Sequence, residues 1–329
     1  MSASKPVVAV TRIIPEAGLS LLRDTTTMRL WEQDLPPSPA ELATLLHGCD
    51  GALTLLTDRI DGDVLDREPQ LKVVSNFAVG FDNVDIPAAT ARGVAVCNTP
   101  GVLTDATADA TWALLMAASR RVVEGEDYVR AGKWKTWGPM LLLGQQVTGA
   151  TLGIIGFGRI GKEVARRAAG FSMKVLVYDT YRDEQAEKEL GVQFAEVDEI
   201  LRTADFVTLH VALTPETRHL ISDREFGLMK PSAVLVNAAR GPVVDTDALT
   251  RALTNGTIFA AGLDVTDPEP LPASHPLVSL PNCTIVPHTA SATVQTRDAM
   301  ARLAASNLLH VLNGTKPEAC VNPEVLGTR

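Results

Sequence analysis

Five runs of this sequence are apolar at almost every position, and each delivers the chain to a residue able to do chemistry. Val175-Leu176-Val177-Tyr178 ends at Asp179, and Phe206-Val207-Thr208-Leu209 ends at His210. Val234-Leu235-Val236-Asn237 leads through two alanines to Arg240. Ala260-Ala261-Gly262-Leu263 ends at Asp264, and Thr284-Ile285-Val286-Pro287 ends at His288. Apolar runs separated by helix-length segments predict strands buried on both faces of a parallel sheet. Such sheets bind ligands outside the carboxyl ends of their strands, so this register predicts Asp, Arg and His around one crevice.

A sixth strand, Leu152–Ile155, runs straight into Gly156-Phe157-Gly158-Arg159-Ile160-Gly161 and a helix over Lys162–Ala169. Gly156 suits the tight turn, Gly158 the approach of a pyrophosphate to the backbone, and Gly161 the packing of helix on strand. Asp179 stands at the end of the next strand, where a carboxylate accepts hydrogen bonds from ribose hydroxyls and repels a 2′-phosphate. This predicts a dinucleotide site with NAD(H) preferred. NADP(H) stays possible, because Arg182 could neutralise a phosphate or could be a solvated loop arginine.

The remaining strand ends suit reduction of a 2-oxo acid. Arg240 offers a permanent, bidentate cation for a carboxylate. His288 carries an imidazole, which can exchange a proton with the carbonyl oxygen. His210 also follows a strand, but its sequel Val211-Ala212-Leu213-Thr214-Pro215 reads as a cofactor wall. A histidine acid needs a carboxylate partner. Glu269, in Asp267-Pro268-Glu269-Pro270, is the candidate, with a solvated turn residue as the equal alternative.

A chain of 329 residues with 46% hydrophobic and 21% charged residues predicts a soluble protein of two domains. The net charge of −9 and the lack of a basic run argue against a nucleic-acid partner. No apolar stretch reaches membrane-spanning length, and the amino terminus has no signal-type run, so a cytoplasmic protein is expected. Cys49, Cys97, Cys283 and Cys320 are scattered and read as free buried thiols, with no metal site. Residues 6–98 alternate strands (Val7–Val10, Met28–Trp31, Ala52–Leu55, Val73–Phe77, Val94–Cys97) with helices (Pro15–Arg23, Pro39–His47, Asp85–Ala91). A long helix over Asp105–Arg120 and a last one over Ala292–Leu312 are the expected crossings between domains. An irregular apolar arm around Trp134, Trp137 and Leu141–Leu143 predicts a dimerisation element.

In these motifs the sequence resembles the D-isomer-specific 2-hydroxyacid dehydrogenase family, and within it glyoxylate/hydroxypyruvate reductases. The resemblance spans essentially the whole chain. It rests on Leu152–Gly161, Asn237–Asp245, Ala261–Leu271 and Pro287–Ala292, with Leu55-Leu56-Thr57, Trp134–Trp137 and Leu271–Pro276 for the reductase subgroup. It implies two Rossmann-like or flavodoxin-like α/β domains with parallel sheets. Residues 1–101 and 290–329 would form a discontinuous substrate domain, and 102–289 an NAD(P)-binding domain carrying the arm at about 121–149. It implies catalysis by Arg240, Glu269 and His288, in a homodimer acting on a small 2-oxo or 2-hydroxy acid. It implies that Thr107, Ala212, Pro215, Thr217, Ala238, Asp264 and Ala290 join Arg159, Ile160, Arg240 and His288 around the cofactor. Leu55, the amides of Val79 and Gly80, Arg240, His288 and Ser291 would meet the substrate. Ala290 departs from the family's usual glycine. Phosphoglycerate dehydrogenases share the pattern, and NAD-sensing co-regulators share the fold and the triad.

Overall fold

The computed structural model describes residues 5–327. The chain divides into two compact units, one holding the described residues up to Leu103 and from Ala292 onward, the other Thr104–Ser291.

In the first unit β1 (Val7–Val10), β2 (Thr27–Leu30), β3 (Gly51–Thr54), β4 (Val73–Asn76) and β5 (Ala95–Cys97) form a sheet in the order β2-β1-β3-β4-β5. Every pairing is parallel. β3, β4 and β5 are buried throughout, whereas the edge strand β2 alternates exposed and half-buried residues. The helices Glu16–Thr25, Pro39–Leu46 and Ile86–Ala91 fall where start signals and apolar spacing predict them. Gly62–Arg67 is an additional short helix, capped by the Asp61 carboxylate on the Val64 amide. Helix Val294–Leu312 lies against Glu16–Thr25 and β4.

The second unit contains β6 (Thr151–Ile155), β7 (Lys174–Tyr178), β8 (Gln193–Phe194), β9 (Phe206–Leu209), β10 (Val234–Asn237), β11 (Ala260–Leu263) and β12 (Cys283–Ile285). All are parallel, in the order β12-β11-β10-β9-β6-β7-β8. This is a doubly wound Rossmann sheet whose strand order reverses between β6 and β9. Neighbouring residues of one strand join different cores: Val207 and Leu235 lie in one apolar cluster, Phe206 and Val234 in the other. That is the two-faced burial an unbroken apolar run requires. β12 departs from it, because it forms the sheet edge and is only half-buried.

Two further expectations change. The crossings fall at Leu103/Thr104 and Ser291/Ala292, so helices Thr104–Ser119 and Val294–Leu312 each belong wholly to one unit. The arm is not irregular throughout, since Val122–Arg130 is a helix, but none of its residues is buried. Among the described residues no helix is long and apolar enough to cross a membrane, and no cluster could hold a metal.

Candidate active site

At the turn after β6, Gly156 has a φ of +99°, and a Cβ there would lie 2.5 Å from the His210 carbonyl carbon. Only glycine accepts both constraints. Gly158, by contrast, faces open space. Helix Arg159–Ala168 follows at once, so the amides of its first turn and its positive end face that space. Gly161 is buried, Ile160 half-buried and Arg159 exposed.

Asp179 reaches from the end of β7 to this turn. Its Oδ2 accepts the Phe157 amide at 2.7 Å and its Oδ1 the Tyr181 amide at 3.3 Å. Arg182 does not face it as an open cation: its guanidinium grips Glu187 bidentately at 2.9 and 3.0 Å and lies 5.3 Å from the Phe194 ring. Lys162 is likewise paired, at 2.5 Å, with Asp183. An open glycine cradle, a helix start and a strand-end carboxylate fit a pyrophosphate and a ribose.

His210 ends β9. Its ring nitrogens are buried without a hydrogen-bond partner, and burial pushes the imidazole down to about 3. It stays neutral and cannot deliver an imidazolium proton. Beyond it, the Thr217 hydroxyl donates to the Ala212 carbonyl at 2.7 Å and accepts the Thr214 amide at 2.8 Å, closing a turn that exposes Pro215. Thr107 and Ala238 are buried small residues of the same unit.

The ends of β10, β11 and β12 carry the acid–base groups. The Asn237 side chain folds back on its own loop, donating to the Arg240 carbonyl at 2.9 Å and accepting the Ala239 amide at 3.0 Å. The next residue, Gly241, touches the turn after β11: a Cβ there would sit 1.9 Å from the Thr266 carbonyl oxygen. This contact holds Arg240 near Glu269, whose carboxyl feels the guanidinium charge. Glu269 Oε1 lies 2.6 Å from His288 Nδ1. Burial alone would raise the Glu269 carboxyl, but the His288 hydrogen bond and charge, the Thr266 amide and Arg240 outweigh it and hold it low. An ionised carboxylate only accepts, so Nδ1 carries the proton and Nε2 is the nitrogen left for exchange.

Asp264, at 2% exposure, braces this arrangement. Its backbone carbonyl accepts the His288 amide at 2.8 Å, and its Oδ1 accepts the amides of Thr289 and Ala290 at 2.7 and 3.0 Å. Those bonds hold His288 in the left-handed region, at a φ of +52°, which a non-glycine residue adopts only under restraint. Ala290 is buried and Ser291 half-buried beside it.

Leu55, Val79 and Gly80 belong to the first unit. The Leu55 amide donates to Asp58 at 2.7 Å and its carbonyl accepts Asn83 at 3.1 Å. The Ala78 carbonyl accepts the Thr99 amide at 2.9 Å, and the Val79 carbonyl accepts the Asn98 side chain at 2.8 Å. These peptides are trans and planar, so the Val79 and Gly80 N–H groups both point away from Asn98–Thr99. Both residues are partly exposed there.

The sequence profile described as "D-isomer specific 2-hydroxyacid dehydrogenase, NAD binding domain" matches residues 112–290. The chain belongs to that family. This makes the protein an NAD(P)-dependent oxidoreductase. Among family members, a glyoxylate reductase of Korarchaeum cryptofilum is 50% identical over 99% of this chain and 98% of its own length. A glyoxylate reductase of Thermococcus gammatolerans is 48% identical over 98% and 97%. Of solved structures, a Thermus thermophilus protein superposes with a TM-score of 0.90 at 47% identity, covering 96% of this chain and 99% of its own. An NADPH-dependent glyoxylate/hydroxypyruvate reductase of Sinorhizobium meliloti, solved with NADP and malonate, gives 0.85 at 31% identity over 99% of both chains.

Sequence reasoning missed how this dehydrogenase site is braced. Asp264 was expected to line the nicotinamide half. Its carboxylate also accepts two amides of the His288 loop, a bracing contact that the expectation did not include. The signal, an apolar strand ending in Asp two residues before Thr266, carries no trace of which amides the carboxylate will find. Asn237 and Gly241 were read only as part of a motif, and their work is visible only as contacts.

Proposed function

We propose that this dehydrogenase reduces glyoxylate, and hydroxypyruvate as a close analogue, to the D-2-hydroxy acid with NADH as preferred reductant. The Glu269–His288 pair at 2.6 Å, close to Arg240 on the strand-end rim that bears the glycine turn, carries this reading. Bound at the glycine turn, the dihydronicotinamide cofactor supplies the hydride for the carbonyl carbon. The residues for it are Gly156, Gly158, Arg159, Ile160, Gly161 and Asp179 at the adenosine half, with Thr107, Ala212, Pro215, Thr217, Ala238, Asp264 and Ala290 toward the nicotinamide. Arg240 pairs with the substrate carboxylate and polarises the carbonyl. His288 gives its Nε2 proton to the oxygen, and Glu269 holds the imidazolium before transfer. In oxidation His288 takes the proton back.

Within the second unit Ser291 joins the substrate contacts in this reading; within the first, the Val79 and Gly80 amides form a pair suited to a carboxylate. The engagement of Arg182 with Glu187 supports NADH over NADPH, since it leaves Asp179 to repel a 2′-phosphate. The apolar arm supports a homodimer: Trp137 and Met140 are 78% and 76% exposed, with Trp134 and Leu143 beside them. A small 2-oxo acid is the partner, in the cytoplasm. The test is oxidation of NADH and NADPH against glyoxylate, hydroxypyruvate, pyruvate and phosphohydroxypyruvate. Glyoxylate with NADH should give the highest kcat/KM. A preference for phosphohydroxypyruvate would overturn the substrate assignment, and a preference for NADPH the cofactor assignment.

A further inference from the structure

The first unit ends its sheet at β5, whose outer edge would be left unpaired. The carboxyl-terminal segment covers it. The Val321 amide donates to the Val96 carbonyl at 2.7 Å, and the Val96 amide donates to Asn322 Oδ1 at 2.8 Å. Asn322, 1% exposed, also donates to Thr90 and to the Val94 carbonyl at 3.0 and 2.9 Å. This clamp sets Cys320, one residue before Val321, beside Cys97, one residue after Val96, close enough that each thiol bears on the other, while Cys320 Sγ donates to Asn322 Oδ1 at 3.6 Å. Cys97 is buried and Cys320 partly exposed.

We propose that Cys97 and Cys320 are an oxidant-sensitive dithiol that closes to a disulfide, stapling the carboxyl-terminal segment to the edge of β5. The neighbours divide the labour. Cys97, with the Asn322 and Val96 backbone, holds the Cys320 thiol below the usual range, against burial and the Glu324 carboxylate. Cys320, with burial, pushes Cys97 up. Cys320, the partly exposed thiol, is the one a small oxidant reaches, and buried Cys97 is the resolving thiol. With hydrogen peroxide, Cys320 sulfur attacks one oxygen, the O–O bond breaks, and water leaves once protonated, giving a sulfenic acid. Cys97 sulfur then displaces that hydroxyl as a second water and loses its own proton. Two thiols are oxidised by two electrons in all, and the peroxide is reduced to two waters.

The test treats the protein with a small excess of hydrogen peroxide, blocks remaining thiols and maps its peptides. The expected result is one Cys97–Cys320 linked peptide, a mass lower by about 2 Da, and reversal by dithiothreitol. Free thiols in denaturant should fall from four to two. Amide exchange at Val96 and Val321 should slow at least about tenfold in the oxidised form, because opening this edge then requires the staple to move. Cys320→Ser should abolish the link, and Cys97→Ser should leave a Cys320 sulfenic acid that dimedone traps. Oxidation of Cys320 to a sulfinic acid without the link, inertness of both thiols, or a link between two chains would overturn the proposal. If Cys97→Ser fails to fold, the peptide map of the unmodified sequence decides alone.

Discussion

His288, Glu269 and Arg240 act at the scale of single residues, and their substitutions should separate in kinetics. His288→Ala removes the proposed proton donor and is expected to lower kcat with glyoxylate by about 10²–10⁴-fold, with NADH binding retained in a fluorescence titration. Arg240→Ala should damage KM and kcat together if, as proposed, the guanidinium serves both the carboxylate and the reacting carbonyl. Glu269 gives a prediction in stability. Its carboxyl is held below the ordinary range in the folded protein. Such a group stabilises the fold fully above its unfolded value of about 4.3, and the contribution disappears as pH falls through the lower folded value. Melting temperatures of wild type and Glu269→Gln, separated at pH 7, should converge in acid. Parallel curves down to the lowest pH would remove Glu269 from the ionised role.

At the scale of elements, the strand ends were legible because burial on both faces leaves its mark at every residue of a strand. β7, β9, β10 and β11 fall on the predicted runs, and so does the turn at Gly156. Less legible was anything decided by one contact. The Asp264 brace and the seat of Gly241 on Thr266 pair residues far apart in sequence, the Asn237 fold-back is a bond within one loop, and no period announces any of them. Helix Val122–Arg130 escaped notice because it buries nothing, so its apolar residues show no inward face to read. The Gly241 contact gives a test at this scale. Gly241→Ala must separate two loops now closer than a methyl group allows, at about 1–3 kcal/mol. Arg240 should then lose register, so kcat/KM should fall even though no reacting group has changed. Unaltered kcat/KM and melting temperature would mean the loops move apart freely.

For the whole molecule, the two sheets illustrate two winding orders of one architecture: the first unit runs 2-1-3-4-5, the second reverses about β6 and β9. Only the second carries a glycine turn at its reversal, which is why the nucleotide motif is legible in the sequence alone. The dimer proposed through the arm is tested at this scale as well. Trp137→Asp with Leu143→Asp should shift the sedimenting species from dimer toward monomer. An unchanged mass would place the interface elsewhere.

The carboxylate at the end of β7 serves two masters. Because one of its oxygens fastens the Phe157 amide at 2.7 Å, the group that would select the nucleotide also keeps the glycine turn in shape. An engineer who neutralises Asp179 to welcome NADP would loosen the loop that must grip either coenzyme. Broader tolerance would come with weaker affinity for both, until a new acceptor is supplied for that orphaned amide.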